Sequence, residues 1–215
     1  MRSRFDEQLK ELNLEMVRMG SAVEKAINSA VNGLVSHDGE LNRKAIASDN
    51  EIDRMERQIE SCCLKLLLQQ QPVASDLRKV SADLKMITDM ERIGDHAVDI
   101  SEIALYLDRS CGLLDIPQMA EEAVKMLTQS VNAYVYSDRE LAQAVIDSDD
   151  IVDGHFLRIK NELTQMIIAD SSKANTALDL LMIAKYLERI GDHATNIAEW
   201  VLFSITGIHK DARVI

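Results

Sequence analysis

The hexapeptide ERIGDH stands at residues 91–96 and again at 188–193. Residues four apart share a helix face, so Glu91 with Asp95, and Glu188 with Asp192, project from the same side. Like charges at that spacing destabilise a helix by roughly 0.2–0.5 kcal/mol, so the arrangement calls for a compensating reason. A second acidic pair recurs with it: SDNEID at 48–53 supplies Asp49 and Asp53, and SDDIVD at 148–153 supplies Asp149 and Asp153. Four carboxylate pairs on two copies of one unit point to a cation site.

The same recurrence organises the chain. The copies are offset by 100 residues at the first acidic pair and by 97 at ERIGDH, so the second copy lacks three residues between its two motifs. The gap falls in a turn, QQQPVASD with Pro72 in the first copy and ADSSKANT with its Ser and Asn caps in the second. A period this long suits a duplicated small domain rather than a solenoid repeat.

Composition favours long helices. In 215 residues there are only 2 Pro and 8 Gly, and neither β-branched clusters nor turn dipeptides recur often enough for a β fold. Phe5, Leu9, Leu12, Met16, Met19, Val23, Ala26 and Ala30 alternate steps of four and three, which predicts a bundle helix over 3–35. After the turn HDG at 37–39, Leu41, Ala45, Ile52, Met55, Ile59, Cys62 and Leu66 carry a second helix up to Pro72, and a third starts near Ser75 with ERIGDH at its middle. Past SCGLLDIP at 110–117 the pattern restarts, with Met119, Ala123, Met126, Ser130 and Ala133 echoing the first helix. The expectation is an all-α fold of six long helices in two tandem three-helix bundles, residues 1–112 and 113–215. The apolar seams are read as core and given no chemistry.

Cys62 and Cys63 are adjacent and Cys111 is alone, so no CxxC motif exists, and all three are expected reduced and at least partly buried. Met1 to Lys10 lacks an apolar leader, and no stretch reaches the roughly 18 apolar residues that span a bilayer. A cytoplasmic protein without membrane insertion is the expectation. The formal net charge of -12 repels phosphate backbones at long range, so direct nucleic-acid binding is not expected; HKDAR at 209–213 is the longest basic cluster.

The acids form stripes. Glu91, Asp95, Asp99 and Glu102 line one side of the third helix, and Glu188, Asp192, Asn196 and Glu199 the matching side of the sixth. Asp49, Asp53, Glu56 and Glu60 border the apolar seam of the second helix, so the stripes should face each other across the contact between helices two and three or open onto its rim. Gathering so many carboxylates uncompensated is prohibitive, and a multivalent cation removes the difficulty. The competing reading is a solvated acidic face with ion pairs, in which Arg92 serves Asp95 and Arg189 serves Asp192. All-carboxylate ligands suit iron, manganese, magnesium or calcium and leave zinc open. His96 and His193 leave the stripe and are read as hydrogen-bonding residues. Gly94 and Gly191 occupy the position a Glu-x-x-His di-iron motif would need, and each costs about 1 kcal/mol in a helix interior, which close approach of a neighbouring helix or of a cluster would offset. A metalloenzyme and a metal-free helical scaffold are the alternatives to a metal-binding adaptor. The first finds no nucleophile and base set and no phosphate-cradling Gly-rich loop.

The doubled DxxxD followed by ERIGDHA, with QPVASDLRKVSADLKMI at 71–87 before it, resembles the PhoU family of phosphate-uptake regulators over essentially the whole chain. The resemblance implies six helices with pseudo-twofold symmetry, multinuclear iron or zinc clusters and frequent homodimerisation. It also implies a cytoplasmic adaptor between the ATPase subunit of a phosphate ABC transporter and a sensor histidine kinase, repressing uptake and the starvation response. The family's metal motif falls on Asp49, Asp53, Glu91 and Asp95, and on Asp149, Asp153, Glu188 and Asp192. Glu56, Glu60 and Asp99 correspond to Phe156, Lys160 and Asn196, so the second site carries less negative charge.

Overall fold

The computed structural model describes residues 2–70, 73–108, 112–209 and 212–213. Helix α1 (Arg2–Ser36) follows the four-three seam, and seven of the eight seam residues from Phe5 to Ala30 are buried, Leu9 being half-buried. It ends where His37 turns to a φ of 54°, and the Asp38 carboxylate accepts the Glu40 backbone N–H to start α2 (Gly39–Gln70). The second repeat reuses this corner 100 residues on. Ser137 stands at φ 51°, and Asp138 accepts from the N–H groups of Glu140 and Leu141.

Helix α3 (Ala74–Tyr106) completes the first three-helix bundle, and α4 (Ile116–Tyr136), with Pro117 in its first turn, opens the second. The fifth helix of the sequence reading is present as two consecutive pieces, α5 (Arg139–Asp147) and α6 (Asp149–Ala169). The interruption is Ser148 alone, whose hydroxyl donates to the Ala144 carbonyl at 2.7 Å while the neighbouring backbone tightens to three-residue hydrogen bonds. A 3-10 turn (Ser171–Lys173) fills the shortened corner before α7 (Ala174–Thr206). The C-terminal residues add an unanticipated miniature hairpin, β1 (Ile208–His209) antiparallel to β2 (Ala212–Arg213), entered through Gly207 at φ 77°. Its side chain His209 stacks on Trp200 of α7.

In each repeat the third helix packs on the other two. The repeats then join along α3 and α7, with α1 against α4, and their buried side chains form one continuous apolar cluster. Cys63 is buried and Cys62 half-buried, while Cys111 and Pro72 lie outside the described residues. No helix among the described residues is long and apolar enough to cross a membrane.

Candidate metal centre

The recurring glycines set the spacing of the acids. A Cβ on Gly94 would lie 3.1 Å from Ile52 Cδ1, and one on Gly191 3.4 Å from Val152 Cγ1, so α2 rides close on α3 and α6 on α7 at the level of the motifs. Ile52 stands between Asp49 and Asp53 in sequence, and Val152 between Asp149 and Asp153, so the close approach carries both DxxxD pairs to the rim beside ERIGDH.

At the first rim the acids perturb one another. Burial raises the Asp49 carboxyl, and the charges of Asp53 and Asp95 raise it further. Glu91 is raised by burial, then by Asp95, with Glu56 and Asp53 adding to it against the pull of Arg92. Glu56 is raised by burial, Glu60 and Asp53, and lowered by Arg57 and Arg92. Asp49, Asp53, Glu91 and Asp95 are therefore one electrostatic cluster, and Glu56 belongs to it.

The second rim repeats the arrangement. Burial raises Asp149, with Asp192 and Asp153 next and a Thr195 hydrogen bond opposing. Asp192 is raised by burial, then by Glu188 and Asp153, against Lys185 and His193. Here Lys185 bonds Glu188 and lies over the Phe156 ring, 5.4 Å from its centroid. Phe156 occupies the place of Glu56, so the second cluster loses an acid where it gains a cation.

Basic side chains occupy part of both rims. Arg57 reaches Asp53 at 2.8 Å, and Arg92 reaches Asp95 at 2.9 Å and Glu91 at 3.5 Å. The expected Arg189–Asp192 pair is not among the described ion pairs; Arg189 instead acts on His96 and Tyr186. Among the described residues, no three Asp, Glu, His or Cys side chains converge tightly enough to hold one ion as they stand.

Between the clusters, α3 and α7 leave a cleft of about 770 Å³ lined in part by Arg92, His96, Arg189 and His193. The two histidine rings lie 5.6 Å apart, and His96 stacks on Tyr186. His193 Nδ1 lies 2.8 Å from Asp89 Oδ1, which also accepts from Asn196 at 3.2 Å, while His96 Nδ1 meets Asp99 on its own helix at 3.3 Å. The histidines thus serve hydrogen bonds within and between helices. Asp89 was not anticipated, because nothing in the spacing of α3 reveals the register of α7 beside it; Lys185 could have been found three residues before Glu188.

The PhoU domain model matches the chain twice, over residues 16–104 and 116–201. The chain belongs to the PhoU family. It is 38% identical over 211 residues to a phosphate-specific transport system accessory protein PhoU homolog of Clostridium acetobutylicum, covering 96% of each chain. A counterpart from Pseudomonas aeruginosa is 33% identical, covering 94% of this chain and 86% of that one. The crystal structure of PhoU from Pseudomonas aeruginosa matches with a TM-score of 0.92 at 33% identity, covering 95% of this chain and all of that one. The phosphate transport system regulatory protein PhoU from Streptococcus pneumoniae matches at 0.90 with 27% identity, covering 97% of this chain and all of that one.

The donor set of both rims, oxygen throughout and with burial and then mutual repulsion raising four of the carboxyls, fits a hard multivalent cation in charge and chemistry. The side chains would have to swing together, and Arg57, Arg92 and Lys185 give up their partners, to surround one.

Proposed function

We propose that this PhoU-family protein is a cytoplasmic adaptor that represses phosphate uptake and the phosphate-starvation response. It acts by occupying surfaces on the ATPase subunit of a phosphate ABC transporter and on a sensor histidine kinase, as a homodimer. The observation that carries this reading is the match, over nearly the full length of both chains, to accessory proteins of the phosphate-specific transport system. The eight acids Asp49, Asp53, Glu91, Asp95, Asp149, Asp153, Glu188 and Asp192 hold multinuclear clusters, iron or zinc in the first instance. The mutual repulsion within each rim supports a cation there, because a positive charge between the carboxylates relieves it. When bound, the metal would supply fixed positive charge, with the carboxylates of each rim as the residues that would hold it.

A metal-free helical scaffold is the competing reading, favoured by the ion pairs Arg57–Asp53, Arg92–Asp95 and Lys185–Glu188, which already neutralise part of each rim. The adaptor reading is tested in a strain lacking the protein under phosphate-replete growth, together with capture of the transporter ATPase on the purified chain. Derepressed uptake and starvation genes, with the ATPase retained, are expected. Normal repression with no ATPase retained would overturn it.

A further inference from the structure

Asp83, on α3, is 0% exposed. Its counterpart at the 97-residue offset is Leu180, also 0% exposed, so the repeat has an apolar solution for this position that the first copy does not use. The carboxyl faces groups from the elements packed around it. Tyr134 approaches from α4, the Cys63 thiol from α2, and Lys79 lies one turn earlier on α3 itself. Helix α1 contributes Asn13, an uncharged residue, through Tyr134.

The protons in this group are limited. The Tyr134 hydroxyl donates to Asn13 Oδ1 at 2.9 Å, and with that proton committed neither oxygen of Asp83 receives a hydrogen bond. A phenol has one proton to give but can still accept. A neutral Asp83 can therefore donate its own O–H to the Tyr134 oxygen, closing a chain that runs from α3 through α4 to α1. An ionised Asp83 cannot; Tyr134 must abandon Asn13 to serve it, or the charge stays buried and unpaired.

We propose that Asp83 is a proton-operated latch between the two repeats, closing the Asp83–Tyr134–Asn13 chain as the neutral acid and opening one of its two links, and so loosening α4, when it ionises. Burial pushes the Asp83 carboxyl up to about 7, with the nearby Tyr134 hydroxyl and Lys79 drawing it back only in part. Burial also pushes Cys63 and Tyr134 upward, so neither ionises alongside it. The sign follows from linkage: a carboxyl raised in the folded state stabilises it fully below the unfolded value, about 4, and that contribution is lost as pH rises through about 7. None of these groups belongs to the acid rims, so the latch stands or falls separately from metal binding.

The test is carboxyl-carbon NMR on the full chain between pH 5 and 9, with Asp83→Asn assigning the resonance, and hydrogen-exchange protection of α4 across the same range. The expected result is a carboxyl titrating near 7 that is missing in Asp83→Asn, and α4 protection that drops severalfold above that midpoint in the wild type alone. Asp83→Leu, which installs the second repeat's residue, provides the control should the amide fail to fold. A carboxyl titrating in the ordinary aspartate range, or α4 protection with the same pH dependence in the variants as in the wild type, would overturn the proposal.

Discussion

Gly94 and Gly191 occupy equivalent positions but tolerate a side chain differently. Alanine at either gains about 1 kcal/mol in helix propensity. At 94 the new methyl meets Ile52 at 3.1 and 3.3 Å, and Ile52 is itself core, so relieving the contact costs roughly 1–3 kcal/mol. At 191 the nearest contact, 3.4 Å to Val152, is ordinary packing. Gly94→Ala is therefore expected to lower the melting temperature, and Gly191→Ala to leave it unchanged or raise it. Equal effects in thermal melts would show that the two repeats are packed alike. The unusual cost of these glycines was legible in the sequence as a demand for close approach, by a neighbouring helix or by a cluster, and it is the helix that comes close. Which of the two helix pairs is tighter was not, because it depends on the bulk of Ile52 against Val152 across a contact that spacing alone does not measure.

Among the elements, the start of α4 is fastened by a cluster no motif announces. Asp115, just ahead of α4, lies 2.6 Å from His155 Nδ1 and 3.1 Å from Arg158 Nη2, both on α6. Burial alone would raise the Asp115 carboxyl, but the hydrogen bonds and charges of His155 and Arg158 outweigh it and hold the carboxyl below the usual range. A depressed aspartate stabilises the fold above its unfolded value, about 4, and that stabilisation is lost as pH falls through the folded value. Asp115→Asn should cost about 1 kcal/mol at neutral pH, and the deficit should shrink as pH drops below about 4. A deficit in chemical denaturation that does not change with acidification would remove the carboxylate charge as its cause. Helix positions and corners were readable here because seams such as Phe5 to Ala30 and caps such as Asp38 and Asp138 are local. The Asp115–His155 and Asp89–His193 contacts were not, since they join residues 40 and 104 apart whose meeting is decided by how whole helices pack.

For the whole molecule, the two rims tie the net charge to the proposed metal. A chain of formal charge -12 that gathers acids at two places should gain stability from any cation that binds the folded state alone. Treating protein purified without chelator with a chelator should lower its melting temperature, and restoring the metal should recover it. Indifference to both would favour the metal-free scaffold. Acting as the proposed adaptor, so acidic a chain should also bind a partner's basic surface more weakly as salt rises, which a salt series of transporter ATPase binding would record. The reading of the repeat from ERIGDH placed all eight acids in two rims, but their side chains are splayed and partly paired to Arg57, Arg92 and Lys185, which the spacing could not reveal. The most direct measurement is therefore the metal content of the purified wild type, Asp95→Asn, Asp192→Asn and the double variant. Each single substitution should remove the metal of its own repeat, and the double should remove nearly all of it. A wild type without bound metal, or the same stoichiometry in all four proteins, would contradict the account.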